Sequence, residues 1–164
     1  MTAERTIMNN FYKALDYFRK LHRNGDPGVA IIEKADFYWL MDGYTVHKIP
    51  KVGMELNPAI FKPYPNPGQM DEIVKKAETG VYLKETGLIK RSPHLPSLIP
   101  FVSASDSATP FTIWFRKQFL DTFQSGISLF GTGSSDPAAV KESGETIGII
   151  LPVRNPKEDI TPFI

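Results

Sequence analysis

The chain has no cysteine. Disulfides, cysteine nucleophiles and thiolate metal sites are therefore all excluded. It also lacks an excess of charge: 19 Lys and Arg stand against 18 Asp and Glu, a formal net charge of +1 at pH 7. So balanced a chain has no global attraction to nucleic acid or acidic membranes, and any such binding must come from a local patch. No stretch is apolar for the length a membrane span needs, and the N-terminus lacks the apolar run of a secretory signal, so a cytoplasmic protein is expected. Histidine is scarce: His22, His47 and His94 are scattered without metal-ligand spacing, and each reads as structural or surface. Gly131-Thr132-Gly133-Ser134-Ser135 is glycine-rich but lacks the lysine of a phosphate loop and reads as a turn between strands. Asp16, Asp36, Asp42, Asp71 and Asp106 form no paired-carboxylate motif. With no catalytic constellation, metal site or cofactor motif, a non-enzymatic protein is expected.

What is present fits one ordinary core. The 164 residues are 41% hydrophobic, and the 14 prolines, bunched in the middle and at the end, are the one compositional oddity. Residues 7–23 form an amphipathic helical pattern: Ile7, Met8, Phe11, Ala14, Leu15, Phe18 and Leu21 share one face, with Lys13, Asp16, Lys20 and Arg23 opposite. Asn24-Gly25-Asp26-Pro27-Gly28 stops it. Strands are predicted at Val29–Glu33, Phe37–Met41 and Tyr44–Ile49, with Asp42-Gly43 as a hairpin turn and a short strand at Thr2–Thr6 in front.

A matching plan closes the chain. Phe111, Ile113 and Phe115 alternate as a strand, and then Phe115, Phe119, Leu120 and Phe123 share one side of a short helix that Gly126 ends. Strands are predicted at Ile127–Gly131, Ala138–Val140 and Thr146–Val153. In the last of these Ile147, Ile149, Leu151 and Val153 face one way, while Ile150 and Pro152 make the other face apolar too. Such a strand is either wholly buried or borders an exposed pocket. Between the halves, Pro58, Pro63, Pro65 and Pro67 mark a rigid loop. Gln69–Ala77 reads as a turn or two of helix, Val81–Leu83 and Leu88–Lys90 as a hairpin, and Ser92–Ser107 as an extended crossing loop.

The closing segment resembles the half-domain that ends a bacterial DNA polymerase processivity clamp (the beta sliding clamp). The likeness rests on Phe119-Leu120 in the short helix, the Ser-Ser-Asp-Pro-Ala-Ala-Val turn, and Ile150-Leu151-Pro152-Val153-Arg154, where the family has a hydrophobic-Met-Pro-Met-Arg ending. Leu40-Met41-Asp42-Gly43-Tyr44 is similar to the family's Ala-Thr-Asp-Gly turn followed by an aromatic or histidine, with Met41 departing from the threonine. The resemblance covers about residues 1–50 and 110–154, and leaves the middle unexplained.

It implies an α+β, DNA-clamp-like single domain over 1–154. This would be two strand-helix-strand-strand-strand units (about 1–50 and 110–154) around a Pro-rich middle (51–109), with helices packed on one side of antiparallel sheet. Residues 155–164 form a C-terminal tail with an apolar tip.

Lys13 and Lys20 stack along one helix face with Arg23 nearby, and Lys117 points outward from the second helix. Such cations can follow a phosphate backbone without reading sequence, although Asp16 sits within the patch and Asp121 offsets Lys117. Clamp helices of this kind line the hole of the ring. By the same resemblance Ile150, Pro152, Val153 and Arg154 belong to a groove for peptide motifs of polymerases and other DNA replication proteins, beside Asp42, Gly43 and Tyr44, with Leu151 in the core.

The expected function is that of a sliding-clamp-like processivity factor, binding double-stranded DNA without sequence preference or docking replication proteins. With one domain per chain, a ring requires a homo-oligomer, six copies being the symmetric solution, joined at sheet edges. Such a small form suits a phage or mobile element. The alternative is a monomeric or dimeric regulatory module of clamp-like fold acting on a host replication protein. A small enzyme working in the middle segment is a third, disfavoured, reading.

Overall fold

The apolar spacing of the first segment does produce a helix, α1 (Ala3–Arg23), in which Phe11, Ala14, Leu15 and Phe18 are buried while Asp16, Lys20 and Arg23 are exposed. It starts early enough that residues 3–6 are helical rather than the expected strand; Thr2 lies outside the described residues. The computed structural model describes residues 3–25, 29–52, 56–104, 109–123, 126–154 and 162–163, of which 3–10, 92, 162 and 163 are described in backbone only. Gly25, at φ +74°, and the Asn24 N–H to Lys20 carbonyl bond (3.0 Å) close α1.

Eleven further segments extend α1 into the sheet that follows. They are β1 (Ala30–Glu33), β2 (Phe37–Met41), β3 (Thr45–Pro50), β4 (Lys62–Pro63), α2 (Pro67–Glu78), β5 (Val81–Glu85), β6 (Ile89–Ser92), β7 (Leu95–Ser103), β8 (Thr112–Arg116), α3 (Lys117–Leu120) and β9 (Ser128–Gly131). The chain then runs through β10 (Ala138–Glu142), β11 (Glu145–Ile150) and β12 (Pro162–Phe163). The result is a mixed α+β protein with a large sheet and few helices. The strand order is β12-β6-β7-β5-β9-β10-β11-β3-β2-β1-β4, with β8 on β7, and among the described residues only the β1–β4 pair is parallel. Two meanders, β1-β2-β3 and β9-β10-β11, meet antiparallel at β3 and β11, where His47 faces Gly148 and Val46 faces Ile149. Each meander follows a helix.

Register decides which residues share a face. Ile31, Leu40, His47, Gly148, Val140, Leu129 and Leu83 succeed one another across the strands on one face. Ile32 and Trp39 pair on the other face, as do Met41, Val46, Ile149, Ala139 and Phe130. Phe11, Ala14, Leu15, Phe18, Phe119 and Phe123 cover the first face, and Met70, Val74 and Ala77 of α2 cover the second. The expectation of helices on one side only is therefore corrected: the middle segment supplies a helix for the other. A sheet so apolar on both faces must be covered on both, each buried large side chain being worth about 2 kcal/mol.

The middle holds more strand than its prolines suggest. Val81–Leu83 forms a strand, and the expected strand at Leu88–Lys90 begins at Ile89, yet the two do not pair with each other; both pair with β7, which occupies much of the expected crossing loop. β7 lies along β8 on one edge and, on the other, passes from β6 (Leu98 to Lys90) to β5 (Phe101 to Glu85). Pro100 falls in that changeover, where its missing N–H costs no ladder bond, and its carbonyl accepts from Thr86 Oγ1 at 3.1 Å. At the ends of the sheet, β4 and β12 are two-residue strands that each carry a proline, a feature that discourages pairing with another chain. In the tail, residues 155–161 and 164 lie outside the described residues, while Pro162 and Phe163 pair with Lys90 and Ile89.

Candidate docking site

The Asp42-Gly43 turn is built from its own side chain. Gly43 adopts φ +94°, and Asp42 Oδ1 accepts from the N–H groups of Tyr44 (2.8 Å) and Thr45 (2.7 Å). Asp42 Oδ2 accepts from the Tyr17 hydroxyl, fastening the turn to α1. Asp42 is thus a builder whose two oxygens are both engaged. The turn presents Tyr44, 48% exposed, with its ring flat on Phe119 at 4.7 Å between centroids and 15° between planes.

The last strand ends beside it. Ile150 is fully buried: it is paired with Ala138 and Thr45 and packs in the core against α1 and α3. Leu151, the first residue past the strand, is 39% exposed and donates its N–H to the Tyr44 carbonyl at 2.9 Å. The expected roles of Ile150 and Leu151 are therefore reversed. The cause is position: Ile150 is the last strand residue, paired on both sides, whereas Leu151 lies past the strand end. Further back a register shift, Val140 with Gly148 but Lys141 with Thr146, makes Ile147 an extra residue that joins the cluster of Ile150 instead of that of Ile149.

Tyr44 and Leu151 separate two cavities. One, of about 150 Å³, is apolar and lined by Met41, Val46, Tyr64, Met70, Ile73 and Ile149. The other, of about 200 Å³, is lined by Arg116, Phe119, Pro152, Val153 and Arg154. The structure thus brings together Gly43, Tyr44, Pro152, Val153 and Arg154, with Asp42 holding the turn behind them. Arg116, Phe119, Tyr64 and Ile73 were not anticipated as site residues. Tyr64 and Ile73 come from the proline-rich middle, where no period marks a face. Val153 N–H bonds to the Trp114 carbonyl at 2.7 Å, laying the residues after β11 along β8.

The four candidate DNA contacts do not share one surface property. Lys20 and Arg23 are exposed. Lys13 is half-buried and donates to the Phe123 carbonyl at 3.3 Å, and Lys117 pairs with Asp121 at 2.6 Å. Beneath Lys13, His47 is fully enclosed, stacked on Phe123 at 4.1 Å and edge-on to Phe18 at 5.4 Å. Thr122 gives its hydroxyl proton to the Phe119 carbonyl (2.6 Å), so its oxygen accepts from His47 Nε2–H at 3.0 Å. Burial, and secondarily the Lys13 charge, push the His47 pKa down to about 3, so the ring is neutral at pH 7. His22 lies against Phe61, and His94 sits in the turn between β6 and β7 at φ 64°. The 131–135 segment joins β9 to β10 as read, tied by Thr132 Oγ1 to Asp136 at 3.1 Å. Among the described residues no helix is long and apolar enough to cross a membrane.

No protein-family model and no curated protein matches the sequence. Among solved structures, the chain is similar to a DNA polymerase sliding clamp from Pseudomonas aeruginosa, at 11% identity and TM-score 0.26, over 76% of this chain and 41% of the clamp. It is also similar to a DnaN sliding clamp (DNA polymerase III subunit beta) from Bartonella birtlesii, at 12% identity and TM-score 0.26, over 72% and 41%. The chain thus spans about two fifths of the length of either clamp. A likeness of that size is distant.

Proposed function

We propose that this chain is a non-enzymatic docking module of clamp-like build, acting as a monomer or dimer on a replication protein. The observation that carries the reading is the groove at Tyr44 and Leu151: two cavities, mostly apolar in lining, divided by an exposed aromatic and an exposed leucine. Concave, mostly apolar sites with a few placed polar groups are the usual receptors of side-chain anchors. The replication partner follows from the sequence resemblance of residues 40–44 and 150–154. The proline-bearing edge strands favour a discrete module over a ring grown by sheet extension. The test is binding of the purified chain to a panel of bacterial replicative polymerases and clamps by interferometry. Binding to one of them that is lost in Leu151→Asp is expected; silence across the panel would remove the replication reading.

A second reading, sequence-independent DNA association, draws on Lys20 and Arg23, which stand exposed near the end of α1. Two cations beside Asp16 make a thin patch, so this reading needs several copies to gather charge. It predicts a sixfold solution mass, or association that occurs only with duplex DNA.

A further inference from the structure

Several lysines on this surface pair with carboxylates. Lys34 pairs with Asp71, Lys48 with Glu145, Lys51 with Glu33, and Lys117 with Asp121. Arg116 and Arg154, which face the same 200 Å³ cavity, have no such partner among the described residues. Arg116 is nevertheless held in place: its guanidinium carbon lies 5.3 Å from the centre of the Tyr44 ring and 5.9 Å from that of Phe119. Cation–π attraction to two rings holds the guanidinium near them without neutralising its charge.

We infer that the groove takes a short protein segment carrying a carboxylate beside its apolar side chains, with Arg116 as the residue that selects the acid. This rests on the docking reading above. The apolar side chains enter the two cavities, and the carboxylate meets Arg116, with Arg154 lining the same cavity. Guanidinium and carboxylate match as a bidentate pair, and a half-desolvated site strengthens that match. A nucleic-acid phosphate would meet the same charge, but would leave Leu151, Pro152, Val153 and Phe119 facing a hydrated backbone. The walls therefore favour a peptide.

The experiment is selection of a phage-displayed random heptapeptide library on the full chain. Recovered peptides are then titrated by fluorescence anisotropy against the wild type, Arg116→Gln, Arg116→Lys and Leu151→Asp. Recovered peptides are expected to hold an Asp or Glu next to apolar residues. Changing that acid to its amide, or Arg116→Gln, should each weaken binding about tenfold, with no further loss when combined and partial recovery in Arg116→Lys. Peptides lost in Leu151→Asp but indifferent to both the acid and Arg116 overturn this inference and leave the docking reading standing. If no recovered peptide depends on Leu151, the docking reading itself fails. A duplex oligonucleotide that binds through Arg116 without needing Leu151 assigns the arginine to phosphate and overturns the peptide.

Discussion

The Tyr44 ring lies flat on Phe119 although the two residues come from opposite halves of the chain, the first from a hairpin turn and the second from a one-turn helix. The contact joins the two halves at the surface and makes the wall between the two cavities. Tyr44→Ala should therefore merge the cavities at little structural cost, about 1 kcal/mol for the lost stack. Its effect on docking should be larger, tenfold or more in the affinity of groove-selected peptides, because an exposed aromatic at the centre of a site carries much of the binding. Unfolding and anisotropy measured on one preparation separate the two effects, and equal losses in both would assign Tyr44 to stability alone.

The His47 pKa, pushed down to about 3, makes stability depend on acid. In the unfolded chain His47 takes up a proton near its ordinary pKa of 6.5, while the folded chain resists until about 3. The stabilising difference is complete above 6.5 and is lost as pH falls through that window, at about 1.4 kcal/mol per unit. Between pH 7 and 5 the loss should be about 2 kcal/mol by urea titration. His47→Gln should remove this component of the slope whatever it does to the plateau; an unchanged slope would place the acid sensitivity elsewhere.

Gly148 has no room for a side chain. A Cβ there would lie 2.5 Å from the Val46 carbonyl oxygen and 2.7 Å from the Phe123 ring. Gly148→Ala must part β3 from β11 or displace the ring that stacks on His47, and should cost about 2–3 kcal/mol. Gly68, in the first turn of α2 with nothing within 4 Å of its notional Cβ, is the contrast. Gly68→Ala should raise stability by up to about 1 kcal/mol. Chemical denaturation of the two variants checks both signs.

The basic residues of α1 divide by role. Lys13→Met should cost about 1 kcal/mol through the lost bond to the Phe123 carbonyl. It should leave any DNA retention nearly unchanged. Lys20→Glu with Arg23→Glu should leave stability within about 0.5 kcal/mol and abolish retention on circular duplex DNA. Retention unaltered by the double change ends the DNA reading.

Proline-bearing end strands disfavour growth of the sheet from chain to chain. Light scattering coupled to size exclusion should give a mass of one or two chains that does not grow with concentration. A sixfold mass at any salt would return the ring to first place.

Much of the secondary structure was legible because its causes are local. The period of residues 11–18 makes α1 amphipathic, alternation marks β2 and β8, and Asp42-Gly43 names its own hairpin. The groove was half legible. Tyr44, Pro152, Val153 and Arg154 were placed by resemblance, but Arg116 gave no signal, since an arginine ahead of a helix is unremarkable until two rings are brought close to it.

The sequence by itself determined the helices, most of the strands, the cysteine-free and nearly neutral character of the chain, and the turn that carries Tyr44. Tertiary structure decided that β5 and β6 pair with β7 rather than with each other, that α2 covers the second face, and that Leu151 rather than Ile150 meets solvent. It also turned Lys13 inward to the Phe123 carbonyl. Each of these depends on which distant strand a segment pairs with, where that pairing stops and in what register, and one extra residue at Ile147 is enough to move a side chain from one face's core to the other's. Periodicity along a chain holds no record of its neighbours across the sheet.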